Sequence, residues 1–169
     1  MEMVNVITES GIDFIADNVF HIEKSDLYRK IGEGIKSVEF VRVNGHELLF
    51  VEAKTTFANP NTPSAENLVK YQKEIDDICS KFVHSLNLFS SVKVGAAEDE
   101  FSNDLILPAK VSLAFILVVK QHELKWCRKI GAALLDALPT YLKTIWKPTV
   151  YVLNHETAIK YSLAYGFEE

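Results

Sequence analysis

Cysteine is scarce in this chain: Cys79 and Cys127 are the two it has in 169 residues. They stand far apart, each among apolar residues at helical spacing. That excludes a disulfide framework and a cysteine-built zinc site, and it reads both as small buried hydrophobes. A surplus of basic residues is also missing. Lys and Arg number 18 against 23 Asp and Glu, a formal charge of −5, and no stretch is rich in Lys or Arg. Counterion release drives phosphate-based DNA binding and leaves a basic patch as its footprint, so tight non-specific duplex binding is not expected. Long apolar runs are absent too. The longest, Val111 to Val119, has Ser112 inside it and falls far short of the ~20 residues that cross a bilayer. The opening MEMVNVITES has neither the basic start nor the apolar core of a signal peptide. A cytoplasmic protein with no membrane contact is the expectation. No internal repeat, low-complexity segment or linker divides the chain, so residues 1–169 read as a single domain long enough to bury a core.

What is present is the mix of a globular protein, with 48% hydrophobic and 24% charged residues. DNVFHIEKS (Asp17 to Ser25) holds a short β-like run. SVEFVRVNGHELLFVEAKTT reads as a hairpin, two strand-like runs around Asn44-Gly45, the dipeptide that suits a type I′ turn. NPNTPSAE then starts a helix, with Thr62 as N-cap and Pro63 at the first helical position. Leu68, Tyr71, Ile75, Ile78, Cys79, Phe82 and Leu86 give that helix one apolar stripe. EDEFSND (Glu98 to Asp104) is an acidic loop. VSLAFILVVK is apolar on both alternating faces, as a central strand covered on both sides would be. HELKWCRKIGAALLDALPTYLKTIW predicts a second long helix, kinked or divided near Pro139. TVYVLN reads as another buried strand and HETAIKYSLAYGF as a closing helix. This order predicts an α/β fold: a central mixed β-sheet with an antiparallel hairpin, extended by parallel strands through helical crossovers and flanked by helices.

Chemistry concentrates on the hairpin. Alternation along a strand sends Glu52 and Lys54 to one face and Ala53 to the other. A turn centred on 44–45 sets Glu39 opposite Phe50, which makes Glu52 a diagonal neighbour on the same face. Two half-buried carboxylates repel, and they need a cation or a shared proton. A hard divalent ion such as Mg²⁺ takes oxygen ligands of this kind, and Lys54 could orient a water or neutralise developing charge. The competing reading is a structural salt-bridge network. Glu-x-Lys alone carries little weight, because Glu123-Leu-Lys125 repeats it at a helix start. The five histidines show no metal-ligand spacing and read as ordinary surface or hydrogen-bonded residues.

An acidic residue on one strand, a hairpin, Glu-x-Lys on the next strand, a helix and a further buried strand together resemble the PD-(D/E)XK nuclease superfamily. FHIEKS, VEFVRV, FVEAKTT and VYVLNHETAIKYSLA also resemble a group of small, uncharacterised bacterial proteins of that superfamily. The resemblance implies a restriction-endonuclease-like fold and a nuclease dependent on Mg²⁺ or Mn²⁺. It puts Glu39 at the family's variable acidic position, Glu52 at its principal acid and Lys54 at its lysine, with the Ala53 backbone carbonyl as a further metal ligand. Glu23 would stand in for a glutamate that the family often draws from an opening helix. Nucleic acid is then the expected partner, with DNA and RNA both open, as is a homo-oligomer or a protein partner. A catalytically inactive binding or accessory module on the same fold is the alternative. A weaker likeness, in RKIGAALLDAL and LNHETAIKYSLAYGF, is to the acetyl-CoA site of GNAT acyltransferases. It would need free N–H groups near Gly131, where the helical pattern has already begun.

Overall fold

The structure is a computed structural model and describes residues 5–99 and 105–166; most of the expected acidic loop, Glu100 to Asp104, lies outside these. Two strands open the chain, β1 (Val6–Glu9) and β2 (Ile12–Ile15), followed by β3 (Val19–Phe20), a 3₁₀ turn at Ile22–Lys24 and α1 (Asp26–Ile31). The hairpin is β4 (Phe40–Asn44) and β5 (Glu47–Lys54). Then come α2 (Ala65–Lys93), β6 (Ser112–Val119), α3 (Leu124–Ala137), α4 (Thr140–Trp146), β7 (Thr149–Leu153) and α5 (His155–Lys160). Five strands form one mixed sheet in the order β3-β4-β5-β6-β7, and β1-β2 form a separate antiparallel pair. β4 pairs antiparallel with β3 and β5, while β5-β6 and β6-β7 are parallel. The mixed sheet with a hairpin at one side and helical crossovers at the other is the architecture the sequence predicts.

Strand alternation divides the core into two layers. Val41, Val43, Leu48, Phe50, Leu113, Phe115, Leu117 and Val119 pack under α2, α3 and α4, joined by Phe82, Phe89, Ile130 and Leu142. Phe82 stacks on Phe115 with ring centroids 4.6 Å apart, and Phe50 meets Phe89 edge-on at 5.6 Å. The opposite face, with Phe40, Leu49, Val51, Ala53, Ile116 and Val118, is covered by Ile12 and Phe14 of β2 and by Ala158 and Leu163 at the C-terminal end. Residues 163–165 clasp the first hairpin. Ile15 N–H donates to Leu163 O (3.0 Å), Tyr165 N–H donates to Asp13 O (2.8 Å), and Phe14 bridges Ala164.

Local chemistry moves several boundaries. Ser64, not Thr62, caps α2: its hydroxyl accepts from Asn67 N–H at 3.2 Å, and Pro63 stays outside the helix. Leu68 at the start of the predicted stripe is 52% exposed, and burial begins at Ile75. Leu138 and Pro139 separate α3 from α4, as expected where a proline removes a helical N–H. β7 is an edge strand with its first three residues at least partly exposed, so it is less buried than its composition implied. The closing helix runs only from His155 to Lys160, capped by Asn154 and Thr157 acting reciprocally. No helix among the described residues is long and apolar enough to cross a membrane.

Candidate functional site

The hairpin turn sets the site's register. Asn44 pairs with Glu47, so the two central residues are Gly45 and His46, and Gly45 adopts φ 60°. A type II′ turn demands positive φ only at its first central position, and glycine there costs nothing. The Asn44-Gly45 turn expected from sequence is therefore displaced by one residue. Phe40 faces Val51 and the ladder ends there; Glu39 is the bend just before β4, its N–H still bound to Val51 O, and its carboxyl lies close enough to Glu52 to feel that residue's charge.

Glu39 is delivered by a segment tied to α2. Lys36 N–H donates to His84 Nδ1 (3.0 Å) and Val38 N–H to Ser85 Oγ (2.8 Å), and Glu39 N–H donates to Val51 O (3.0 Å). Both glutamates sit on the α2 side of the sheet, Glu39 at 8% and Glu52 at 1% exposure. From α2, Lys81 Nζ donates to Glu52 Oε1 at 2.6 Å. Lys54, half-buried at the end of β5, lies 6.0 Å from the Phe57 ring centroid. Glu39 Oε2 and Glu52 Oε2 are buried without a hydrogen-bond partner.

Burial governs the protonation of both acids. It pushes Glu39 up to about 9, reinforced by a hydrogen bond with the Glu23 carboxyl and by the charge on Glu52. Glu39 is therefore protonated at neutral pH and carries the proton of that bond. Burial raises Glu52 to about 7, against the opposing pull of Lys81 and then Lys54. Desolvation works to discharge Lys81, but Glu52, Glu39 and Asp77 hold it above the ordinary lysine value.

The acidic line continues outward. Glu23 in the 3₁₀ turn, His21 before it and Glu9 at the end of β1 present ligand atoms within 4.8 Å of one another. The β1-β2 tip is fixed there by Ser10 Oγ donating to Ala53 O (3.1 Å) and by Lys120 Nζ donating to Gly11 O (2.6 Å). It occupies the space that β4 vacates beyond Phe40. The Ala53 carbonyl, expected as a metal ligand, accepts a hydrogen bond from Ser10.

Comparison with protein-family models, with curated proteins and with solved structures finds no match. The site has to be read from its own chemistry. Glu39, Glu52 and Lys54 come together on one sheet face, and Glu23 joins Glu39. Glu9 and Lys81 are participants that the sequence reading passed over, and His21 is one that it took for an ordinary histidine. The Glu9 strand is too short to show alternation, and Lys81 lies among the buried positions of α2 with no motif around it. The two partnerless carboxyl oxygens and an all-oxygen donor set fit a hard divalent ion. A cavity of about 120 Å³ lies at the other end of β5, lined by Asn44, Glu47, Tyr151 and Tyr161 among others, well away from these carboxyls. Gly131 is inside α3 facing Val152, where it offers no helix-start N–H groups to a pyrophosphate.

Proposed function

We propose that this protein is a divalent-metal-dependent phosphodiesterase, a nuclease built like the PD-(D/E)XK enzymes on a restriction-endonuclease-like arrangement. The observation that carries the reading is the proximity of the buried Glu39 and Glu52 carboxyls on the face that also carries Lys54. Glu39, Glu52 and the Ala53 carbonyl would hold Mg²⁺ or Mn²⁺, with Glu23 adjoining. A bound ion supplies Lewis acidity toward a phosphoryl oxygen and lowers the pKa of a water. Lys54, with Lys81 behind it, places positive charge where a pentavalent phosphorus centre gains negative charge. Glu39 must release its proton to ligate, so its raised pKa makes metal binding stronger as pH rises.

A second reading, a non-cutting binding module on the same scaffold, is favoured by one feature. The Glu52 side chain is 2% exposed and already paired with Lys81. One assay separates the two. Purified protein is incubated with Mg²⁺ or Mn²⁺ and single-stranded, duplex and branched DNA and RNA, beside Lys54→Ala and Glu52→Gln. Cleavage that both variants lose supports the enzyme. Binding without cleavage supports the module. Equal cleavage by Lys54→Ala places the chemistry elsewhere.

A further inference from the structure

The outer end of the acidic line has a composition unlike the inner pair. Glu9, His21 and Glu23 come from the end of β1, the residue after β3 and the 3₁₀ turn that follows it. All three are partly buried, and their ligand atoms converge within 4.8 Å. Donors on a common ion at about 2.0–2.2 Å stand about 3.4 Å apart in a tetrahedral site and at most about 4.4 Å apart when trans, so closure by roughly an ångström at most brings the three onto one ion. Imidazole nitrogen beside two carboxylates suits borderline transition ions better than Mg²⁺, which prefers oxygen alone.

A second observation points the same way. Glu39 is nine-tenths buried, its Oε2 has no partner, and its carboxyl meets Glu23. It thus adjoins Glu23 with one oxygen still unpaired. His21 Nε2 is 3.4 Å from Glu9 Oε1, and Lys24 Nζ is 3.6 Å from the same oxygen. The Lys24 side chain is 64% exposed and free to swing into solvent when a cation takes its place.

We propose that Glu9, His21 and Glu23 form a binding site for a divalent transition-metal ion, for which Mn²⁺ and Zn²⁺ are the probes. This site is separate from the Glu39–Glu52 pair and needs no phosphodiester chemistry. Its function is to cross-link the β1-β2 tip to the 3₁₀ turn. Glu23 is the residue through which the outer ion and the inner acids sense one another.

The test is calorimetric titration of the purified chain with MnCl₂ and with ZnCl₂ alone, in wild type, His21→Gln, Glu9→Gln and Glu52→Gln. Even the loss of an outer partner of a ligand costs about 10–100-fold in metal affinity. His21→Gln and Glu9→Gln should therefore each weaken one equivalent by at least about tenfold, and Glu52→Gln should retain it. A measurement on wild type alone guards against variants that fail to fold. Substoichiometric Mn²⁺ should broaden the ring NMR signals of His21 before those of His46, His84, His122 and His155. Unchanged affinity in His21→Gln, absence of binding, or uniform broadening of the five rings overturns the proposal. Loss confined to Glu52→Gln does so too, and assigns the ion to the inner pair.

Discussion

Glu39→Gln should flatten the alkaline loss of stability in this protein. The substitution replaces a protonated carboxyl by an amide of the same shape, so near pH 6 little should change. The pH dependence should change a great deal. Glu39 is raised from 4.5 to about 9 in the folded state, so between pH 6 and 8 the folded protein holds a proton that the unfolded chain has released. A group that binds protons more tightly when folded stabilises fully below its unfolded pKa and loses that contribution as pH rises to its folded pKa. The slope is about 1.4 kcal/mol per pH unit for one proton, or about 3 kcal/mol from pH 6 to 8. Glu52, raised to about 7, adds about 1–2 kcal/mol over the same interval. His21 and His122, lowered chiefly by burial, work in the opposite sense near pH 6, and comparison with wild type cancels them. Urea unfolding at pH 6, 7 and 8 should therefore show wild type losing about 3 kcal/mol more than Glu39→Gln. In thermal melts that is roughly 6–12 °C for a chain of this size. Identical slopes in the two proteins, or a wild type that gains stability toward pH 8, would refute the assignment of Glu39 as a buried neutral acid.

Lys81→Met should strip Glu52 of its cation and cost about 3–5 kcal/mol at pH 8. The cost should be much less at pH 5.5, where Glu52 is protonated, and equal losses at both pH values in urea titrations would count against a buried ion pair. Mg²⁺ should raise the melting temperature of wild type through Glu52 by mass action; an equal rise in Glu52→Gln would place the ion elsewhere. Gly11→Ala introduces a Cβ 2.8 Å from Lys120 Nζ at φ 71°. It should cost about 1–2 kcal/mol and speed amide exchange at Ile12–Ile15, and unchanged exchange would show that the tip is not fastened there. Burial pushes the Cys79 thiol up to about 11, so a thiol reagent should label it slowly until urea unfolds the chain; rapid native labelling would contradict its buried position.

The sequence made the hairpin, the central strand and the long helices legible because each has a strong period. Leu113 to Val119 are buried on both faces, and the α2 stripe from Ile75 onward holds. The Glu39–Glu52 neighbourhood was readable for the same reason, because moving the turn by one residue shifts each cross-strand partner by two and leaves every side chain on its expected face. The one-residue error stemmed from giving Asn44-Gly45 the turn, when a glycine in first central position serves a type II′ turn equally well. The β1-β2 pair escaped because four-residue strands around Ser10-Gly11 lack the length for a clear alternation. With it went Glu9. His21 has no histidine or cysteine at metal spacing, since its neighbours in space are glutamates from other turns of the chain. Lys81 acquires meaning only from the acid it meets across 29 residues.

The clasp between residues 163–165 and the first hairpin has a consequence for timing. Glu9 and Ser10 reach the end of β5 on a hairpin whose backbone is held by Leu163, Ala164 and Tyr165. On a ribosome those three residues emerge long after the hairpin they fasten. The β4-β5 hairpin, α2 and the Glu39–Glu52–Lys81 cluster lie within residues 39–93 and can form early, but the clasp that holds the hairpin carrying Glu9 and Ser10 must wait for about 150 residues of intervening chain, a closure that is slow as contacts go. A nascent chain therefore passes through a stage in which the inner acids are assembled and the Ala53 carbonyl is still uncovered.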